Sequence, residues 1–367
     1  MRAGPWPGRL HAGAAIAAYA QFMLSSVSSA HSVVGMPFRP QKVVRPRCTV
    51  DSGPRQPRIP RMTTASMHGP QGFVNLDKPS GMASRRATDL VGRRFRGAAV
   101  GHAGTLDPLA SGVLPVAVGG ATRLVELLHD ADKEYRATVR LGRATDTDDA
   151  AGAPLGGERP VTASREDAER ALAAFLGAVM QRPPRFSALK LGGRAAYELA
   201  RAGEDVELEP RPVTFHELAV VGWAPPEMVV TARVSRGTYL RALARDLGEA
   251  LGCGGHLSAL VRTRVGALRI ADAVGLDRLG EAGDAALLPV RRAFPELPVV
   301  IVPDDKTRRE VMAAKPLPLE RFAPDGRAPA AGERCLLLDG SGLALFLAEC
   351  LADESGALRI QPRKRLA

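Results

Sequence analysis

The stretch Gly101-His102-Ala103-Gly104-Thr105-Leu106-Asp107-Pro108-Leu109-Ala110-Ser111-Gly112 runs straight into an apolar segment, Val113 to Val118, and few arrangements accommodate that junction. Glycines, a histidine and a proline crowd one aspartate, which is loop chemistry set against a buried strand or helix start. Pro108 fixes its own φ and pushes Asp107 out of the α region, so the carboxylate sits at a sharp change of direction. Such an aspartate is poorly placed in a helix interior and well placed in a site. The plain alternative is that Asp107-Pro108 merely opens a turn, since both residues are common there for ordinary hydrogen-bonding reasons. On this stretch alone the turn is the better reading.

The chain has 367 residues, 45% of them apolar, enough to bury one large core and a smaller one. Two folded domains and a tail are expected. A formal charge of +11 points to an acidic partner such as nucleic acid or a membrane surface, but the charge is unevenly spread. Residues 1–70 hold nine Lys and Arg against the single acid Asp51, which leaves 41 basic and 38 acidic residues for the remainder. Nucleic-acid binding by the folded body must therefore come from local clustering. Cys48, Cys253, Cys335 and Cys350 are spread too widely for a paired zinc spacing and form no disulfide framework, which implies a reduced compartment. His102, His129, His216 and His256 are not spaced as a ligand set either. No metal is expected.

Residues 1–70 are rich in Arg, Ala, Ser and Pro and nearly free of acids, the composition of a targeting presequence or disordered leader. Ala14 to Val27 is apolar but shorter than the ~20 residues that span a bilayer. Arg2 and Arg9 precede it, small residues follow, and an Arg/Pro-rich section runs from Arg39 to Arg61. That layout fits a plastid reached through the secretory system; the whole also fits a mitochondrial presequence. The alternative is a cytoplasmic protein that starts at Met62 or Met67.

From Gly72 the signals are globular. Phe73 to Leu76 reads as a short strand, Asp77 to Gly81 as a turn, and the next segment as a helix from Ser84 or Arg85 to Phe95. Lys78, on composition alone, is a solvated turn lysine. Ala121 to Leu128 reads as a helix. Glu134 to Leu141 alternates as a strand, with Tyr135, Ala137, Val139 and Leu141 facing inward. Asp146, Asp148 and Asp149 lack the glycine and distal glutamate of a calcium loop and read as loop and hydrogen-bonding residues. Ser164 with Asp167 reads as a helix cap. Arg182 to Pro212 is basic with Phe186 and Tyr197 interleaved, which suits a nucleic-acid backbone or a solvated surface. Met228 to Val234 is a strand, Thr238 a candidate N-cap, and Leu240, Leu243, Ala244, Leu247 and Leu251 the buried stripe of a helix. Arg241 lies in its first turn, where a cation gains nothing from the helix dipole, so another partner must hold it. Val299–Val302, Cys335–Leu338, Leu343–Ala348 and Leu358–Ile360 read as short strands of a small β-barrel.

Five motifs in order resemble those of the tRNA pseudouridine-55 synthases, the bacterial TruB family: Asn75 to Gly81, the aspartate stretch, Asp132 to Arg136, Ser187 to Lys190, and Ser235 to Arg241. The resemblance implies an α+β catalytic domain with a mixed, largely antiparallel sheet over residues 71–297, and a PUA-like RNA-binding β-barrel over 298–367. It implies isomerisation of the T-loop uridine of tRNA to pseudouridine, without cofactor or metal, by a monomer that is free of membrane in its mature form. By the same resemblance Asp107 is the nucleophile, Arg241 its ion-pair partner, and Tyr135 the aromatic that stacks on a flipped base. His102 fills the vacated place, and Lys78, Tyr239 and Leu260 line or support the substrate site. The family usually has a tyrosine where this chain has Phe186. Two rivals stand beside this reading: a guide-RNA-dependent synthase of the box H/ACA type, which shares these motifs, and an RNA-folding factor whose catalysis is incidental.

Overall fold

The computed structural model describes residues 69–367 apart from 188, 192 and 205–207. The apolar leader segment, Cys48 and both candidate start methionines lie outside the described residues. Three strands frame the aspartate stretch: β1 (Gly72–Lys78), β2 (Val100–His102) and β3 (Ser111–Val118). β3 is the apolar run of the sequence. It is buried almost throughout because it is covered on both faces, where a continuous apolar strand is the stable choice. Helix α1 (Ser84–Arg94) joins β1 to β2.

A 3-10 turn, Gly119–Leu124, leads into the short helix α2 (Val125–Asp130), where the sequence reads as one continuous helix. There follow β4 (Lys133–Leu141), α3 (Arg165–Ala173), the edge strand β5 (Gly177–Gln181), α4 (Ala196–Arg201), β6 (Arg211–Ala224) and β7 (Glu227–Val234). The expected cap on α3 is a full capping box between Ser164 and Asp167. Helix α5 (Leu240–Ala250) and β8 (Gly255–Val265) follow. Tyr239, not Thr238, occupies the N-cap of α5, because the Thr238 hydroxyl closes the preceding turn by donating to Ser235 C=O at 3.0 Å.

The order across the sheet is β1, β3, β8, β4, β7, β6, β5, with Val274–Gly275 outside β1. Every neighbouring pair is antiparallel except β3 with β8 and Val274–Gly275 with β1. The sheet is thus mixed and mostly antiparallel, as expected.

The C-terminal part forms a second, six-stranded sheet. It contains β9 (Val299–Ile301), β10 (Ala323–Asp325), β11 (Arg334–Leu338), β12 (Ala344–Ala352) and β13 (Leu358–Arg365), together with Leu317–Pro318. Its strands do not form a separate body with a wholly separate core. Val299, Leu336, Leu338, Leu347 and Leu366 join Phe73, Ala103, Val113 and Ala117 in one apolar cluster behind β3. Alternate β3 residues feed the two sides: Leu114, Val116 and Val118 face the larger cluster under α1 and α5. The Gln71 side chain ties the parts together, donating to the carbonyls of Ala344 and Leu366 at 2.9 Å and accepting from Ala344 N–H at 3.0 Å. Gly120 is needed here, since a Cβ would lie 1.5 Å from Leu366 O.

Candidate active site

The Asp107 loop is held on both sides of its carboxylate. Leu106 N–H donates to Ser84 Oγ and Ser84 Oγ–H donates to Leu106 C=O, both at 2.8 Å. Beyond the aspartate, Gly81 N–H donates to Pro108 C=O at 2.7 Å and Ser80 Oγ–H to Leu109 C=O at 2.8 Å. Ala110 N–H closes the turn on Asp107 C=O at 3.0 Å. Of the turn expected over Asp77 to Gly81, Asp77 and Lys78 instead continue β1, and residues 79–81 bracket the Asp107 loop. A loop fixed by five hydrogen bonds within a few residues leaves its carboxylate few directions to take.

Arg241 enters from the first turn of α5. Its Nε lies 2.9 Å from Asp107 Oδ2, with the N–H directed off the oxygen, so the contact is an ion pair without an aligned hydrogen bond. The rest of the guanidinium is occupied: Nη1 donates to Thr147 C=O at 3.1 Å and Nη2 to Phe186 C=O at 2.9 Å. Nη1 also lies 3.6 Å from Asp149 Oδ2. Asp149 in turn accepts from the Thr147 hydroxyl at 2.7 Å and from Ala151 N–H at 3.0 Å. The Arg241 side chain is only 6% exposed and that of Asp107 is 41% exposed. The arginine is buried and held by carbonyls while the aspartate is open, an arrangement that would suit a nucleophile.

The acidic loop contributes more than its spacing signalled. Asp149 supplies a second carboxylate to Arg241, while Asp148, held at φ 60°, pairs with Arg245 at 2.8 Å. Burial raises the Asp148 carboxyl above its ordinary range and Arg245 opposes that rise. Asp146 accepts from Ala153 N–H at 2.7 Å. Each of the three acids weighed as a cation ligand thus has a protein partner. The signal available in the sequence was Arg241 and Arg245 on one helix face, two cations four residues apart that need anions opposite.

Lys78 is not a solvated turn lysine. It is fully buried at the end of β1, with Nζ donating to Pro79 C=O at 2.9 Å and Met82 C=O at 2.7 Å. Burial first, and Arg262 second, push its pKa down to about 8, with Asp107 acting in the opposite sense. His102 ends β2 opposite Val116, half-buried, and its Nδ1 has no hydrogen-bond partner among the described residues. Burial, then His129 and Arg262, hold its imidazole pKa below the usual value. Tyr135 lies on β4 between Ala232 of β7 and Arg262 of β8, partly buried against the main core. Leu260 pairs with Ala137 in the same core. Tyr239 exchanges backbone hydrogen bonds with the Gln181 side chain at 2.9 and 3.1 Å, and burial raises its phenol pKa.

Comparison with known proteins supplies the family. The N-terminal domain of the TruB family pseudouridylate synthases matches residues 93–240, and the C-terminal domain of tRNA pseudouridylate synthase B matches residues 241–294. The tRNA pseudouridine synthase B of Burkholderia lata is 42% identical over 311 residues, covering 84% of this chain and 93% of its own. That of an Azoarcus species is 46% identical over 232 residues, 63% of this chain and 75% of its own. Among solved structures, an H/ACA ribonucleoprotein bound to a substrate RNA containing 2'-deoxyuridine superposes with a TM-score of 0.60 at 23% identity, covering 81% of this chain and 85% of its own. An archaeal box H/ACA Nop10-Cbf5 complex gives the same TM-score at 22% identity over 83% and 89%. These two share the fold. With both family domains matched in order over more than half of its length, the chain belongs to the TruB family of pseudouridine synthases.

Proposed function

We propose that this protein isomerises the T-loop uridine of tRNA, position 55, to pseudouridine, acting alone on a flipped-out base. What carries the reading is one feature: a half-exposed aspartate whose loop is bracketed on both sides and whose carboxylate meets a buried arginine at 2.9 Å. In the reaction the N1–C1′ bond breaks, a C5–C1′ bond forms, C5 loses a proton and N1 gains one. The atoms balance without an oxidant. Asp107 attacks the base or the sugar, Arg241 keeps it oriented, Tyr135 stacks on the detached base, and His102 takes the vacated place in the RNA loop. Leu260 and Tyr239 line the pocket, and the C-terminal sheet grips the RNA as a PUA-like module.

The stand-alone reading is favoured over a guide-dependent one by the relatives. Those at 42% and 46% identity are named tRNA pseudouridine synthase B, whereas likeness to the box H/ACA assemblies rests on shared fold at 22–23% identity. The test is incubation of the full chain with an unmodified tRNA transcript and no guide RNA, followed by mapping of pseudouridine. Conversion of the single T-loop uridine is expected. Conversion only with a guide would assign the enzyme to the other class, and tight binding without conversion would leave an RNA-folding factor. Residues 1–70, by composition, serve as an organelle import leader, which a fluorescent fusion tests: plastid or mitochondrial signal supports it and diffuse cytosolic signal removes it.

A further inference from the structure

Arg262 is the bulkiest fully buried side chain among the described residues, 1% exposed, and among them it forms no ion pair. A cation taken out of water without a counter-ion costs free energy that an apolar residue of similar shape would not, so its presence calls for a compensating gain. Its contacts identify that gain. Nε donates to Val113 C=O at 2.8 Å and Nη2 to Gly104 C=O at 2.9 Å, and these two carbonyls stand on either side of the Asp107 stretch.

The backbone is shaped to let it in. Gly112 pairs with Arg262 across β3 and β8 at φ 98°, where a Cβ would come within 2.3 Å of Arg262 O. Gly104, at φ 85°, faces Arg262 Nη1 at 3.3 Å from an ideal Cβ. On its other side Arg262 pairs in register with Tyr135 of β4. One residue therefore links both ends of the loop bearing Asp107 to the strand bearing Tyr135. Its charge is felt by neighbours too, since it helps hold Lys78, His102 and Lys133 below their ordinary pKa values, after burial in each case.

We infer that Arg262 is a positioning residue for the isomerisation, clamping the Gly104 and Val113 ends of the loop so that Asp107 is registered against the ring of Tyr135. The inference rests on the proposed function, and a core-filling arginine would behave differently. Arg262→Lys keeps the charge and reaches at most one of the two carbonyls; Arg262→Met keeps the length without charge or donors.

Three measurements on the full chain decide it: the single-turnover rate at saturating tRNA, the tRNA dissociation constant, and hydrogen exchange of the Ala110 amide, which bonds to Asp107 C=O. For both variants the rate should fall about 100-fold, the loss expected when a reactive group is displaced by about 1 Å, while the dissociation constant stays within about threefold. Ala110 exchange should quicken. A wild-type rate in either folded variant overturns the inference, as does a loss that appears only in affinity. Failure of both variants to fold also overturns it, by making Arg262 a stability residue. If the wild-type chain forms no pseudouridine, the functional reading fails, and Ala110 exchange still reports whether Arg262 holds the loop.

Discussion

Ser84 and Leu106 exchange two hydrogen bonds of 2.8 Å through a single hydroxyl, so the first residue of α1 grips the residue immediately before Asp107. Both residues are buried. Ser84→Ala leaves the Leu106 N–H without a partner, at a cost of about 1–3 kcal/mol in stability. Turnover should drop roughly tenfold through loss of loop register, with less effect on tRNA affinity. Thermal unfolding and single-turnover rates check it; an unchanged rate would show that Ser80 and Gly81 suffice to hold the loop.

Asp107→Asn removes the proposed nucleophile while keeping shape and hydrogen-bonding capacity. Pseudouridine formation should be abolished and tRNA affinity retained. Turnover within about tenfold of the parent, with deamidation excluded by mass spectrometry, would take Asp107 out of the chemistry.

Arg241 serves the carbonyls of Thr147 and Phe186 as well as Asp107 and Asp149, using the whole planar fork. Arg241→Lys keeps the charge but not the fork, so the rate should fall about 100-fold. Asp149→Asn should give a smaller loss, since Arg241 keeps three of its four partners. Equal activity of the lysine variant and the parent would make the fork irrelevant.

Lys78 gives a pH signature. Its pKa is pushed from 10.5 down to about 8, so between those values the unfolded chain holds a proton that the folded protein has released. Stability therefore rises with pH across that window, and below about 8 the cost of burying the charge is felt in full. At 1.36 kcal/mol per pKa unit the rise is on the order of 3 kcal/mol. Lys133 is depressed to about 8 as well, so Lys78→Met should roughly halve the slope rather than remove it. Denaturant midpoints from about pH 7 to about pH 10 measure this, and an unaltered slope in the variant would mean that Lys78 does not titrate there.

What could be read from the sequence was local. The Ser164–Asp167 capping box, the inward alternation of Ala137, Val139 and Leu141, the apolar stripe of α5 and the loop character of Asp107-Pro108 all follow from neighbours within a turn or a strand. The need of Arg241 for a partner was legible too, because the helix dipole offers a cation nothing at that end. Which anions answer it was not. Asp107 and Asp149 arrive from separate loops, and their approach depends on how β3, β8 and β4 line up across the sheet. The same holds for Lys78 and Arg262, charged residues whose usual place is in water and whose burial here is possible only because backbone carbonyls converge on them. The shared core behind β3 is likewise invisible locally, since nothing in Val113 or Leu336 alone says that the two sheets meet. Sequence determined which segments bend and which faces are apolar; tertiary structure decided which charges meet, because pairing between distant strands is set by burial of whole faces and not by any short run of residues.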